Sequence, residues 1–250
     1  MALLEDFEKQ GIWLFRYRGI IPIGVLLIGA LLIVYSEFYP ETFYLKNSVY
    51  EIYYESFCLF LSLVGLAIRV YTVGHTPKNT SGRNVKAQLA DTLNTTGIYS
   101  VVRHPLYLGN FFMWLGPAML TQNFWFIIAF CLFYWIYYER IMFAEEQFLR
   151  RKFKEAYTNW AEKVNAFFPS FKNFKKSDLA FSWKKVLKKE KNGLVALFLI
   201  FCVFDIAGEL IKEEDNYNYF LIGACGLSVI LYIVLKILKK RTKVLNEAGR

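Results

Sequence analysis

Six apolar runs divide the chain, at Gly19–Glu37, Ser56–Gly74, Leu106–Leu120, Phe124–Met142, Gly193–Ile211 and Tyr219–Leu238. At a helical rise of about 1.5 Å per residue, a run of this length spans roughly the 30 Å hydrocarbon core of a bilayer. The chain is 56% apolar and 19% aromatic over 250 residues, more apolar surface than a soluble protein of this size can hide. An all-α, polytopic membrane bundle of about six spans is therefore expected. Leu106–Leu120 is short and is expected to begin within the bilayer depth. Only Thr121-Gln122-Asn123 separates it from the next run, so the two read as a tight helical hairpin. The first run has no small-residue cleavage site and reads as an anchor rather than a signal peptide.

The net charge of +9 is distributed in alternation. The N-terminus, residues 75–106, residues 143–192 and the C-terminal tail are rich in Lys and Arg, whereas 38–55, 121–123 and 212–218 are nearly free of them. The positive-inside rule then places both termini in the cytoplasm, in a bacterial inner membrane or an endoplasmic reticulum membrane. This pattern suits an anionic leaflet, and neither zinc-finger spacing nor an RNA-binding signature is present, so nucleic acid is not an expected partner. Cys58, Cys131, Cys202 and Cys225 lie in apolar runs without a CxxC pair and read as packing residues. With His75 and His104 the only histidines, no metal centre is expected. Four regions follow: 1–55, an N-terminal span and connection; 56–170, a core; 171–192, a basic, solvated cytoplasmic linker; and 193–250, a C-terminal pair of spans with a basic tail.

The polar stretch Thr96-Gly-Ile-Tyr-Ser-Val-Val-Arg-His-Pro-Leu-Tyr-Leu-Gly109 stands between apolar runs. Pro105 has its φ pre-set for a first helical turn and lacks the N–H that would be unpaired there, so a helix is expected to start near His104–Pro105. Its free N–H groups and positive dipole end would face the polar loop as an anion site. The plain alternative is a basic flank anchoring a helix at headgroup level. The loop Thr76–Asn84 carries Lys78, Ser81, Arg83 and Asn84, which can wrap a phosphate or lipid headgroup, or merely form a turn-rich connector. In 143–168, Leu149, Phe153, Tyr157, Trp160, Ala161 and Val164 share one helical face and Arg150, Arg151, Lys152, Lys154 and Lys163 lie largely on others, the pattern of an interfacial amphipathic helix. Glu145 and Glu146 stand at its start, where acids also suit the helix dipole. Arg69, near the end of the second run, can snorkel to the interface or point into a site, and snorkelling is the preferred reading. Asp205 and Glu209 lie four apart in the fifth run and are not expected to be catalytic.

Gly97-x-Tyr99-x-x-x-Arg103-His104-Pro105-x-Tyr107-x-Gly109, followed by Glu145-Glu146-x-Phe148-Leu149 and then Phe153, Tyr157, Val164 and Pro169, resembles the core of the isoprenylcysteine carboxyl methyltransferase family, whose wider group includes phospholipid methyltransferases. The resemblance implies an integral-membrane O-methyltransferase using S-adenosylmethionine, with a lipid or lipidated acceptor entering laterally from the bilayer. It assigns Tyr99, His104, Pro105, Tyr107, Gly109, Glu145 and Glu146 to the cofactor. The helix start would take its carboxylate, one of the two glutamates its amino group or ribose, and Tyr99 and Tyr107 its adenine or sulfonium. Arg103, with Arg140 second, is the candidate for steering the acceptor or the cofactor carboxylate. Methylation of a lipid headgroup or lipid A phosphate is the alternative, favoured by the Thr76–Asn84 loop. A sterol-reductase-like enzyme using NADPH is a further one, opposed by the paired glutamates. A monomer or homodimer fits equally.

Overall fold

In the computed structural model, residues 2–43, 45–46, 48–78, 80, 88–213 and 216–249 are described. Among them the regular structure is helical, with no strand. Eight α-helices follow in order: α1 (Leu3–Tyr17), α2 (Ile21–Phe38), α3 (Glu51–Gly74), α4 (Pro105–Leu120), α5 (Phe124–Phe153), α6 (Glu155–Ala161), α7 (Trp183–Lys212) and α8 (Tyr219–Arg241). By length and composition α3, α5, α7 and α8 can each cross a bilayer, and α1 with α2, meeting at 66°, can form one broken span. The expected polytopic bundle is therefore present, with four or five candidate crossings rather than six. Helix α4, at 16 residues and about 24 Å, is shorter than a usual crossing, but it runs back along the length of α3, where the Tyr54 hydroxyl near the start of α3 donates to the Met119 carbonyl near the end of α4 at 2.9 Å. Large apolar side chains face outward along the bundle, among them Leu31 at 70% and Leu227 at 70% exposure, as lipid contact favours.

Helix α4 packs chiefly on α3. Small residues set that contact. A Cβ on Gly65 would collide with the Gly109 carbonyl and Met113 of α4, and one on Gly116 would strike Ser62 and the Cys58 carbonyl. Without side chains between them the two backbones approach closely, the usual device of helices in lipid, where apolar burial gives no driving force. The hairpin turn follows α4 as expected, with Gln122 at φ 51° and the Asn123 side chain accepting from the Phe126 N–H at 2.9 Å. On the other side of α5, Gly11 of α1 fits against the Arg140 carbonyl and Ala144.

Two expectations are corrected. The amphipathic stretch 143–168 is not one helix: α5 runs on to Phe153, Lys154 takes φ 49°, and α6 starts afresh. Its apolar face turns inward, with Tyr157 and Val164 buried, while Arg150, Arg151, Lys152, Lys154 and Lys163 are exposed. The supposed linker 171–192 is helical from Trp183, because Ser182 caps α7 by accepting from the Lys185 N–H. Lys185, Glu190 and Lys191 are buried there rather than solvated. Asp205 and Glu209 accept the N–H groups of Asn218 and Asn216, which fastens the α7–α8 connection.

Candidate active site

The polar stretch before α4 is built by three backbone bonds from a distant segment. Arg103 and His104 donate their N–H groups to the carbonyls of Asn165 and Ala166 at 2.9 and 3.1 Å, and Ser170 donates to the Val101 carbonyl at 3.0 Å. Helix α4 then starts at Pro105 with His104 as its first flanking residue, as its sequence requires. Trp160 of α6 donates its indole N–H to the Tyr99 carbonyl at 3.0 Å.

Glu146 is the hub of the side chains. Arg103 donates Nε and Nη2 to its two carboxylate oxygens at 2.9 and 3.3 Å, and His104 Nε2 lies 2.9 Å from Oε1. Arg103 Nη1 donates to the carbonyls of Ala161 and Val164 at 2.6 and 3.1 Å. The guanidinium is thus committed to the protein on every nitrogen, binding the carboxylate and capping the end of α6. Glu145, one residue earlier and about 100° round the helix, points elsewhere. It accepts from the Tyr107 hydroxyl at 3.0 Å, and its Oε2 lies 3.7 Å from His104 Nδ1. The His104 ring stacks on Tyr107 with centroids 5.6 Å apart. Burial raises the phenol pKa of Tyr99, and burial with the charge of Glu146 raises that of Tyr157, so both rings stay neutral.

These groups surround a cavity whose walls include Tyr99, Arg103, His104, Pro105, Tyr107 and Glu145, with Leu106 at the first turn of α4. Glu146 sits behind that wall. Gly109 does not line it, because Gly109 is spent on the contact with Gly65 and Arg69. Arg140 does not line it either, which corrects its candidacy. Its guanidinium lies 3.5 Å from the Phe7 ring centre and pairs with Glu139 at 2.9 Å, on the α1 side of α5. Of the headgroup set, Ser81, Arg83 and Asn84 fall outside the described residues, and Lys78 is exposed with its N–H on the Gly249 carbonyl. Among the described residues of that loop, Thr80 lines the cavity.

Several walls lie outside the expected set of site residues. Arg69 does not snorkel: Nε and Nη2 donate to the two oxygens of Glu190, both at 2.8 Å, and Nη1 donates to Asn110 Oδ1 at 2.6 Å. All three side chains reach the cavity, as do Phe15 and Arg18 of the N-terminal region and residues 88–90 and 92–94. An arginine inside an apolar run was itself a signal. Glu190, the one acid among the lysines of 183–192, gave none that charge counting could use.

Helical membrane architecture with an acid-, arginine- and tyrosine-walled cavity at one end of the bundle defines the class: a polytopic helical membrane protein with a polar cavity among its helices. Residues 56–156 match the model of the phospholipid methyltransferase family. Over 78 residues the chain is 40% identical to the protein-S-isoprenylcysteine O-methyltransferase of Schizosaccharomyces pombe, covering 31% of this chain and 33% of that protein. It is 31% identical over 91 residues to the nickel-cobalt-cadmium resistance protein NccN of Alcaligenes xylosoxydans xylosoxydans, covering 36% and 42%. A Tribolium castaneum protein-S-isoprenylcysteine O-methyltransferase is 26% identical over 147 residues, covering 56% and 50%. The chain thus spans between a third and a half of the length of these relatives. No solved structure matches it.

Proposed function

We propose that the chain is an integral-membrane O-methyltransferase that uses S-adenosylmethionine and acts on an anionic oxygen, carboxylate or phosphate, of a lipid or lipidated substrate. The observation that carries this is the division of labour between the two glutamates: Glu146 is bound to Arg103 and His104, and Glu145 is presented to the cavity by Tyr107.

The donor set suits the cofactor. Glu145 offers a carboxylate to an ammonium or ribose hydroxyl. The start of α4 at Pro105–Leu106 offers a positive dipole end to a carboxylate. Tyr99, Tyr107 and Trp160 offer neutral aromatic faces to a purine or a sulfonium. When bound, S-adenosylmethionine supplies an electrophilic methyl group. A carboxylate or phosphate acceptor is already ionised at neutral pH, so the chain need not supply a strong base. Its residues align the acceptor, exclude water and balance charge. Because Arg103 is committed to Glu146 and two carbonyls, we assign it to holding the site together. Among the described residues Arg69 has three of its five N–H groups engaged, by Glu190 and Asn110, which leaves two to offer an acceptor oxygen. The alternation of basic segments supports a cavity at the cytoplasmic leaflet with both termini on that side. The relatives named protein-S-isoprenylcysteine O-methyltransferase support the chemistry and a lipidated carboxylate as acceptor.

Calorimetry of detergent-purified protein tests the cofactor: saturable binding of S-adenosylmethionine is expected, and saturable binding of NADPH alone would overturn the proposal. Incubation with methyl-labelled cofactor and either N-acetyl-S-farnesylcysteine or phosphatidic acid then distinguishes carboxylate from phosphate acceptors.

A further inference from the structure

We infer that α7, which lies outside the matched methyltransferase segment, completes the acceptor site, and that Glu190 is a positioning residue that aims Arg69 at the acceptor oxyanion. This rests on the methyltransfer reading above.

The geometry is specific. Arg69 projects from α3, Asn110 from α4 and Glu190 from α7, so three separate helices meet at one guanidinium. The pair is bidentate and sheltered, with side-chain exposures of 17% for Arg69 and 6% for Glu190. A planar guanidinium held on one edge by a carboxylate is fixed in direction as well as position. Asn110 holds a third nitrogen, and among the described residues no protein group takes the remaining N–H groups, at a guanidinium that walls the cavity with Asn110 and Glu190.

Glu190 can act this way because the start of α7 is clamped to the end of α3. The Ser182 N–H donates to the Gly74 carbonyl at 2.9 Å, and His75 Nδ1 lies 2.8 Å from the Leu179 carbonyl. Buried Lys185 donates to Thr76 Oγ1 and to the Pro77 carbonyl at 3.0 and 2.9 Å. Phe181 occupies the space that a Cβ on Gly74 would need. These bonds all sit within about three helical turns of Glu190, so little lever arm remains for the carboxylate to wander. An anchor that merely added lipid contact would need neither a buried acid nor this clamp.

The test uses the full chain in detergent with Glu190→Gln and Glu190→Asp. Glutamine keeps the shape but replaces one acceptor oxygen with a donor facing the guanidinium. Aspartate keeps the charge and withdraws it by one methylene. For wild-type protein, kcat and KM are measured with methyl-labelled S-adenosylmethionine and N-acetyl-S-farnesylcysteine, and in parallel with phosphatidic acid. Glu190→Gln is expected to lower kcat/KM for the accepted probe at least tenfold while cofactor affinity by calorimetry stays within twofold. Glu190→Asp, which retains the ion pair needed for folding, is expected to lose about threefold. Without cofactor, the rise in melting temperature caused by the accepted probe is expected to shrink in both variants. Equal kcat/KM and equal probe-induced shifts in wild type and Glu190→Asp would overturn the inference. So would a parallel loss of cofactor affinity in Glu190→Gln, which would mark a general structural role. Failure of wild type to methylate either probe would instead overturn the reading beneath it.

Discussion

Adjacent glutamates with separate duties make a sharp test, because Glu145→Gln and Glu146→Gln are the same chemical change one residue apart. At Glu146 the carboxylate accepts two donors from Arg103 and lies against His104 Nε2. Glutamine keeps one oxygen and turns an amide donor toward either Arg103 or His104. Charge-assisted hydrogen bonds contribute about 1.5–3 kcal/mol each. Losing one and weakening another, discounted for the 19% exposure of the side chain, gives a loss of about 2–3 kcal/mol. For a chain of this size that lowers the melting temperature by roughly 4–12 °C. At Glu145 the single bond from Tyr107, at a site 33% exposed, makes the stability loss less than about 1 kcal/mol. Cofactor affinity is expected to fall about tenfold or more there, because a charge facing the cavity has gone, equivalent to about 1.4 kcal/mol. Melting curves and calorimetry with S-adenosylmethionine on both variants supply the four numbers. A Glu146→Gln protein as stable as wild type, or a Glu145→Gln protein that binds cofactor as wild type does, would refute the division of roles.

Other outcomes follow from features away from the hub. Arg140→Gln should leave cofactor affinity within twofold of wild type, since its guanidinium lies against Phe7; calorimetry checks this. Gly65→Val should abolish the monodisperse peak in size-exclusion chromatography, because its side chain must enter the backbone of α4, an overpacking cost of about 3 kcal/mol or more. At the other end of the bundle, Lys46 pairs with Glu37 and Glu51 at 5% side-chain exposure. Burial alone would lower its pKa, but the two carboxylates together hold it above the usual 10.5. A raised folded-state value means its stabilisation is complete below pH 10.5 and is lost as pH climbs through the folded value. The melting-temperature gap between wild type and Lys46→Met should therefore be constant from about pH 8.5 to 9.5 and narrow above about pH 10.5.

The spans and the start of α4 were legible in sequence because length, hydropathy and Pro105 each act locally. So was the rule that only one of two adjacent glutamates can face a site, although which one could not be read. That choice depends on Arg103 and His104 being drawn to Glu146 by bonds to residues 161–166, a long-range contact with no local signature. Arg140 was misjudged for the converse reason. An arginine at the end of an apolar run looks the same whether it turns toward the cavity or toward Phe7 on a helix folded back from the N-terminus. The lysine-rich run 172–191 misled because charge density usually marks solvated chain. Here Lys185 and Glu190 have specific partners on α3 and the loop after it, and those bonds repay their desolvation.

The seam between α3 and α4 has a mechanical consequence. Where glycines let two backbones touch, there are no long side chains whose rotamers can give way, so the pair moves as one rigid beam. For the lipid-tailed acceptor proposed above, a seam without yielding side chains is a poor doorway, and entry is expected along the joints that flexible groups fill, through the partners of the beam rather than the beam itself.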